Sequence, residues 1–227
     1  MKQRGVTLIE LLIAVTLLSL LSVGMFTAMR IGLNAYAKTD DRLMTNRRVA
    51  GAQQIILEEM EGMIPVVGVC QGGARTPFFQ GEPAVMRLVS TFSLHQGWRG
   101  QPQILEMFVI PGEREGVRLV VNETLYSGPQ GAQQFCTGAH KFVPVNAGPQ
   151  SFVLADKLAF CRFSYLWPAV DVNTPAAWHP DWKADNWPLA VRLEMAPLEA
   201  DPSRVQNISV TAPIYLHRSP EIPYGDY

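Results

Sequence analysis

The sequence predicts an α+β protein in which one long N-terminal helix packs against an antiparallel β-sheet. Three observations lead to this prediction. Residues 1–64 contain no proline, whereas all 17 prolines lie in residues 65–227, so the two parts favour different secondary structure. An apolar run dominates the first part. Short alternating segments, separated by Gly, Pro and Asn, fill the second part.

Composition limits the classes of protein that the chain can belong to. It has 227 residues, of which 48% are apolar and 17% charged, and its formal net charge is −1. Ample apolar content with almost no net charge excludes a mainly disordered chain. Because 19 basic residues face 20 acidic ones, a generalised polycation is excluded and no nucleic-acid partner is expected. The length allows one or two domains.

The apolar run suits a membrane-spanning helix. Residues 11–29 carry no charge and would span about 28 Å as an α-helix, enough to cross a hydrocarbon core. A cleaved secretory signal is the competing interpretation, because Lys2 and Arg4 precede the run. The run is longer than an h-region, however, and no small-x-small cleavage site follows it. Neither a signal peptide nor a plain anchor explains Glu10, since a carboxylate in a membrane helix costs about 2.5–3.5 kcal/mol.

Residues 5–14 read GVTLIELLIA and follow a short basic leader. This segment resembles the class III signal sequence of type IV pilins and type II secretion pseudopilins, with Val6 where Phe is usual. The resemblance implies that a membrane prepilin peptidase cuts after Gly5 and methylates the new amino terminus of Val6. It also implies that Glu10, the fifth mature residue, pairs with the amino terminus of a neighbouring subunit. The alternative role for Glu10 is a helix N-terminal charge that favours the macrodipole.

The same resemblance implies a pilin-like division of the chain. Residues 1–5 would be the leader, 6–30 the transmembrane assembly helix, 31–64 its periplasmic continuation, and 65–227 a globular β-rich head. The protein would then be a single-pass inner-membrane protein with its head in the periplasm. Five basic residues within residues 30–48 point to the opposite orientation by the positive-inside rule, but two aspartates lie among them and the leader favours a periplasmic head.

The helix is expected to continue beyond the membrane as an amphipathic segment. An apolar stripe steps by 3, 4, 4 and 3 residues through Val49, Ala52, Ile56, Met60 and Met63. The acidic residues Glu58, Glu59 and Glu61 are assigned to the other faces. Gly62 and Pro65 are expected to end the helix.

The proline-rich part predicts six strands, at residues 85–92, 104–110, 117–126, 158–166, 189–196 and 208–216. Residues 158–198 carry a second resemblance. A strand rich in aromatics, a connection with Trp178, Trp182 and Trp187, then Pro188 and an AVRL strand, resemble the J-type minor pseudopilin of type II secretion. The simpler interpretation is that these tryptophans only anchor a long loop.

Three cysteines allow one disulfide in an extracytoplasmic domain. Cys161 alternates in phase with Phe163 and Tyr165, which suits a buried free thiol on a strand. Cys70 and Cys136 lie in Gly-rich loop segments, where a covalent link would stabilise the fold. We therefore expect a Cys70–Cys136 disulfide.

No sequence feature supports enzyme activity. The four histidines lack any metal-ligand spacing, and neither a P-loop nor a nucleophile elbow is present. His179 with Asp181 and Asp185 is the nearest approach to a metal site, but carboxylates in a polar loop are usually solvated. We expect no catalytic residue, no cofactor and no metal.

The function that these expectations define is that of a minor pseudopilin in the pseudopilus tip, which assists export of folded proteins. The resemblance implies as partners the I-, K- and H-type minor pseudopilins, the major pseudopilin, prepilin peptidase, the inner-membrane assembly platform and membrane lipid. The alternative is a minor pilin of a type IV pilus or of a DNA-uptake system.

Overall fold

The computed structural model describes residues 7–93, 98–113, 115–171, 173–198 and 207–215, without the side chains of residues 41–50, 52, 98 and 99. The chain divides into two compact units, Met1–Arg47 and Arg48–Tyr227. The second unit begins within the long helix, so the last turns of that helix belong to the head.

The long N-terminal helix is confirmed. Helix α1 runs over Leu8–Glu61, a stretch that contains neither proline nor a positive backbone φ among its described residues. It ends where the sequence predicted: its last i→i−4 hydrogen bond runs from the Gly62 backbone N–H to the Glu58 carbonyl at 2.9 Å, and Pro65, which has no N–H to donate, follows. Its start and end thus lie close to the expected bounds of residues 6–64.

Twelve strands follow α1 in chain order: β1 Val67–Val69, β2 Arg75–Pro77, β3 Gln80–Gly81, β4 Val85–Ser93, β5 Trp98–Pro111, β6 Val117–Leu125, β7 Cys136–Gly138, β8 Lys141–Phe142, β9 Phe152–Trp167, β10 Ala177–His179, β11 Ala190–Pro197 and β12 Ile208–Pro213. Two 3₁₀ turns, Gln71–Gly73 and Pro129–Phe135, lie between them. Eight strands form an antiparallel sheet in the order β12-β11-β9-β6-β5-β4-β3, with β10 also paired to β9.

One face of this sheet forms the main core with the end of α1. On β11, Val191, Leu193 and Met195 alternate inward, and their partners on β12 are the equally buried Ala212, Val210 and Ile208. Ile56, Met60 and Met63 pack into the same cluster from the helix side. The described part of the apolar stripe and the period-two pattern of the strands therefore meet at one interface. The side chains of Val49 and Ala52, which the stripe also includes, lie outside the described part of the chain.

The opposite face of the sheet is covered only in part. Over β4 and β5, the residues between Pro129 and Phe142 build a second, smaller core with Phe78, Val89 and Ile104. Over β9 and β11 the same face carries exposed polar side chains such as Arg162, as a half-solvated antiparallel sheet does.

All six predicted strands are present, and the differences are at their ends. The strand expected at 158–166 begins earlier, at Phe152, and the one expected at 208–216 ends at Pro213. Strands β1–β3, β7, β8 and β10 were not predicted. Each is two or three residues long, too short to show an alternating pattern.

One assignment on α1 is wrong. Glu59 does not lie on an outer face with Glu58 and Glu61 but is fully buried on the side of the sheet. It stands three residues after Ile56 and one before Met60, so it falls inside the buried arc of the helix, which is wider than the apolar stripe alone.

Candidate functional site

The first turn of α1 carries the candidate processing and assembly site. Glu10 is exposed there, and its backbone N–H donates to the Thr7 carbonyl at 3.1 Å. Its neighbours Leu8, Ile9 and Leu11 are 84%, 67% and 61% exposed. Gly5 and Val6, the residues expected at the cleavage site, lie outside the described residues. The carboxylate of Glu10 thus stands within an uncovered apolar surface.

The surface around Glu10 continues for nine helical turns. Leu8–Asp40 is a 33-residue stretch with mean hydropathy 2.3 in its most apolar window, and none of that window is buried. It is the one helix in the described part of the chain that is long and apolar enough to cross a membrane. An apolar surface of this size needs lipid or other apolar chains around it.

Polar side chains within this stretch are satisfied by the helix itself. The hydroxyls of Thr16, Ser19 and Ser22 donate to backbone carbonyls three or four residues earlier, at 2.8–2.9 Å. Such local hydrogen bonds keep hydroxyl groups compatible with hydrocarbon. Glu10 is the one acidic residue among residues 7–39. Within the described part of the chain, its side chain has no hydrogen bond to the helix like those of the three hydroxyls.

In the head, the structure joins Cys70 and Cys136 by a disulfide with a Cα–Cα distance of 5.0 Å, closing a 66-residue separation. Both cysteines are fully buried and belong to the smaller core. Cys161 is a buried free thiol. Burial raises the pKa of the Cys161 thiol to about 12, so this group is unreactive at neutral pH.

A buried cation, which the sequence analysis missed, lies next to the disulfide-linked segment. Arg87 on β4 is 1% exposed and contacts Glu106 on β5 at 2.6 Å. Its guanidinium also donates to Gln80 at 2.7 Å and to the carbonyls of Phe135 and Val143 at 3.3 and 2.9 Å. Burial lowers the pKa of Arg87, whereas Glu106 raises it. The Arg87 guanidinium therefore holds the chain segment that contains Phe135 and Val143 against the sheet.

The one signal for this cluster in the sequence is Arg87 within the otherwise apolar run Val85–Leu88. A charged residue inside a strand that is buried on both faces requires a partner. A local pattern does not show which residue that partner is. It also does not show that the rings of Phe135 and Phe142 lie 5.6 and 5.3 Å from the guanidinium.

The residues considered for a metal site are not brought together. His179 stacks edgewise on Trp167 at 5.7 Å, and Asp181 faces Lys183 at 3.6 Å. Asp185 instead contacts His140, with 2.8 Å between the carboxylate Oδ1 and the ring Nε2. Among the residues that the structure describes, no three His, Cys, Asp or Glu side chains form a metal-binding group.

The comparisons with known proteins identify the N-terminal segment. A family described as the prokaryotic N-terminal methylation motif matches residues 1–26. No curated protein matches the chain. The match includes Gly5, Val6 and Glu10, and the chain thus carries the N-terminal signal of type IV pilin-like proteins. This signal together with one apolar helix fits a single-pass membrane anchor that prepilin peptidase processes.

Proposed function

We propose that this protein is a minor pseudopilin of the J type, a structural subunit at the tip of the type II secretion pseudopilus. It would reside in the inner membrane with its head in the periplasm and assist export of folded proteins. One observation carries this proposal. A methylation motif leads into a helix whose first 33 described residues are uncovered and whose last turns pack into an antiparallel head.

The mechanism is one of processing followed by assembly. Cleavage after Gly5 removes the basic leader and frees an amino group on Val6, which remains cationic after methylation. Glu10 then pairs with the amino terminus of a neighbouring subunit. Each charge alone would be unfavourable in hydrocarbon, and pairing offsets the desolvation of both, so the helices associate side by side.

Support for the J type comes from the region between β9 and β11. Strand β9 ends in Tyr165 and Trp167, and the following connection places Trp182 and Trp187 in the main core, 3% and 2% exposed. The backbone of Trp182 pairs with Gly81 at the end of the sheet. This connection gives that edge of the head a fixed shape, which suits a subunit with I- and K-type neighbours.

The experiment that tests the proposal is co-purification from membranes. The full chain is expressed with I-, K- and H-type minor pseudopilins in one arm and with minor pilins of a type IV pilus in the other. We expect recovery in a complex with the pseudopilins. Recovery only with the pilins would refute the secretion assignment, and recovery with neither would refute both.

Glu10→Ala tests the assembly step within the same experiment. The variant should be cleaved and methylated normally, but its recovery in the complex should fall several-fold. Glu61→Ala is the matched control, because Glu61 is an exposed carboxylate at the other end of the same helix. Equal recovery of the two variants would contradict a role of Glu10 in subunit contact.

A further inference from the structure

A second acidic residue of α1 lies in an unusual environment. Glu59 is 0% exposed, and neither of its carboxyl oxygens makes a hydrogen bond of ordinary geometry within the described residues. The Ser90 hydroxyl of β4 faces it; its oxygen accepts the Phe92 backbone N–H at 3.1 Å, which leaves its O–H as a neutral donor towards the carboxyl group. A buried ionised carboxylate without a cation beside it is strongly unfavourable.

The helix end around Glu59 is held tightly on the sheet. Thr91 donates its backbone N–H to the Gly62 carbonyl at 2.9 Å, and Ile64 donates to the Val89 carbonyl at 2.9 Å. A Cβ placed on Gly62 would lie 2.7 Å from the Ser90 hydroxyl oxygen. The helix end therefore lies directly against β4 at Gly62, and Glu59, one turn earlier, is fully buried beside this contact.

Two carboxylates among the described residues act on Glu59. Glu58 acts from its own helix and Glu123 from β6. Burial, followed in weaker degree by these two carboxylates, raises the pKa of Glu59 to about 8, although the Ser90 hydroxyl acts in the opposite direction. Glu59 is therefore mostly neutral at pH 7.

We propose that Glu59 is a proton-controlled latch between the end of α1 and the head. When its carboxyl is protonated, the segment from Ile56 to Met63 packs on β4. When the proton is lost, the carboxylate must reach water, and this segment separates from the sheet. Because the contacts lie within the head, the latch operates whichever assembly the protein serves.

The direction of the pH effect follows from linkage. Between the ordinary carboxyl pKa of 4.5 and the native value of about 8, the native state holds one proton more than the unfolded state. The stability contributed by protonated Glu59 is complete below pH 4.5 and is lost as the pH rises through 8. Within this interval the unfolding constant should rise about tenfold per pH unit from this group.

The test is guanidinium unfolding of the full chain in detergent between pH 5 and pH 8.5, followed by fluorescence of the buried Trp182 and Trp187. We expect Glu59→Gln to remove the increase in the unfolding constant that the wild type shows. Glu61→Gln is the matched control, since it removes an exposed charge from the same helical turn and should retain the wild-type slope.

An identical pH slope in the wild type and in Glu59→Gln would overturn the latch. A variant that is less stable by the same amount at all pH values gives this result, because Glu59 would then have a packing role only.

Hydrogen exchange of the wild type keeps the proposal testable if Glu59→Gln does not fold. After correction for intrinsic rates, amides of residues 56–63 should lose at least tenfold protection between pH 6 and pH 8.5, and at each pH they should be less protected than the amides of β11, because this segment opens without unfolding of the sheet. Constant protection at residues 56–63 would overturn the latch.

Discussion

The two ends of helix α1 differ in what surrounds them. In the stretch Leu8–Asp40 the most apolar window is wholly exposed, whereas Ile56 and Met60 near the other end are 0% and 2% exposed. The first stretch is apolar on all sides, and the second has one apolar stripe. A helix that is apolar all round needs lipid or other chains, and a striped helix needs one surface, which its own sheet supplies. The pattern of apolar residues along α1 therefore indicates which part of the helix packs on its own sheet and which part needs lipid or other chains.

Each end also places one carboxyl group among apolar side chains, with different consequences. Glu10 stands on an open surface, so a cation from another molecule can reach it. Glu59 is enclosed by its own head, so it can only retain a proton or leave the interface. A carboxyl group among apolar side chains can be stabilised by a cation where the surface is open and by neutralisation where it is enclosed.

The largest effect is expected from changing the cleavage site ahead of the exposed end. Gly5→Leu should abolish processing, because a branched side chain obstructs an extended backbone in a protease cleft where glycine fits. Immunoblotting of membranes should show only a slower-migrating precursor. A chain of normal mobility that assembles normally would contradict the assignment of residues 1–5 as a leader.

Most of the fold could be predicted because its main signals are local. The absence of proline before Pro65 indicated α1, and Leu189–Met195 showed the alternation that β11 has. The candidate assembly residue Glu10 was evident because a single charge interrupts an apolar run. These features depend on residues close together in sequence, which is where periodicity is informative.

The features that were missed depend on residues far apart in sequence. Arg87 is satisfied by the carbonyl of Val143, 56 residues away, and this contact has no local pattern. Glu59 was assigned to another face of the helix because it lies outside the apolar stripe. It lies inside a buried arc of the helix that is wider than the apolar stripe, and only the packed structure reveals the width of that arc.

A smaller effect is expected from removing the Cys70–Cys136 disulfide of the head. Replacing Cys70 and Cys136 by Ala should lower the free energy of unfolding by about 4 kcal/mol, because a closed loop of this length restricts the unfolded chain. Thermal and guanidinium unfolding measure it. Wild type treated with a reductant should behave like the variant.

Mass mapping without reductant checks the same link directly. We expect one alkylated thiol, Cys161, after unfolding. Alkylation of Cys70 and Cys136 as well would show that the pairing is wrong.

The same substitution at the two ends of α1 tests their difference most directly. Ile56→Ala should lower the free energy of unfolding of the head by about 3 kcal/mol, because it leaves a cavity in the main core. Ile31→Ala should leave it unchanged, since Ile31 is 66% exposed. Guanidinium unfolding followed by tryptophan fluorescence measures both. Equal losses would contradict the separation of the helix into an internally and an externally buried part.

The smallest effects are expected at two glycines near the packed end of the helix. Nothing lies within 4 Å of a Cβ placed on Gly51, so Gly51→Ala should raise stability by about 1 kcal/mol through helix propensity. Gly62→Ala should instead lower it by about 1 kcal/mol, because the new methyl group would lie 2.7 Å from the Ser90 hydroxyl oxygen and 3.0 Å from the Glu58 carbonyl. Opposite signs in guanidinium unfolding would locate the point along α1 where the sheet begins to restrict it. A gain for both variants would mean that the helix end is held more loosely than the Glu59 latch requires.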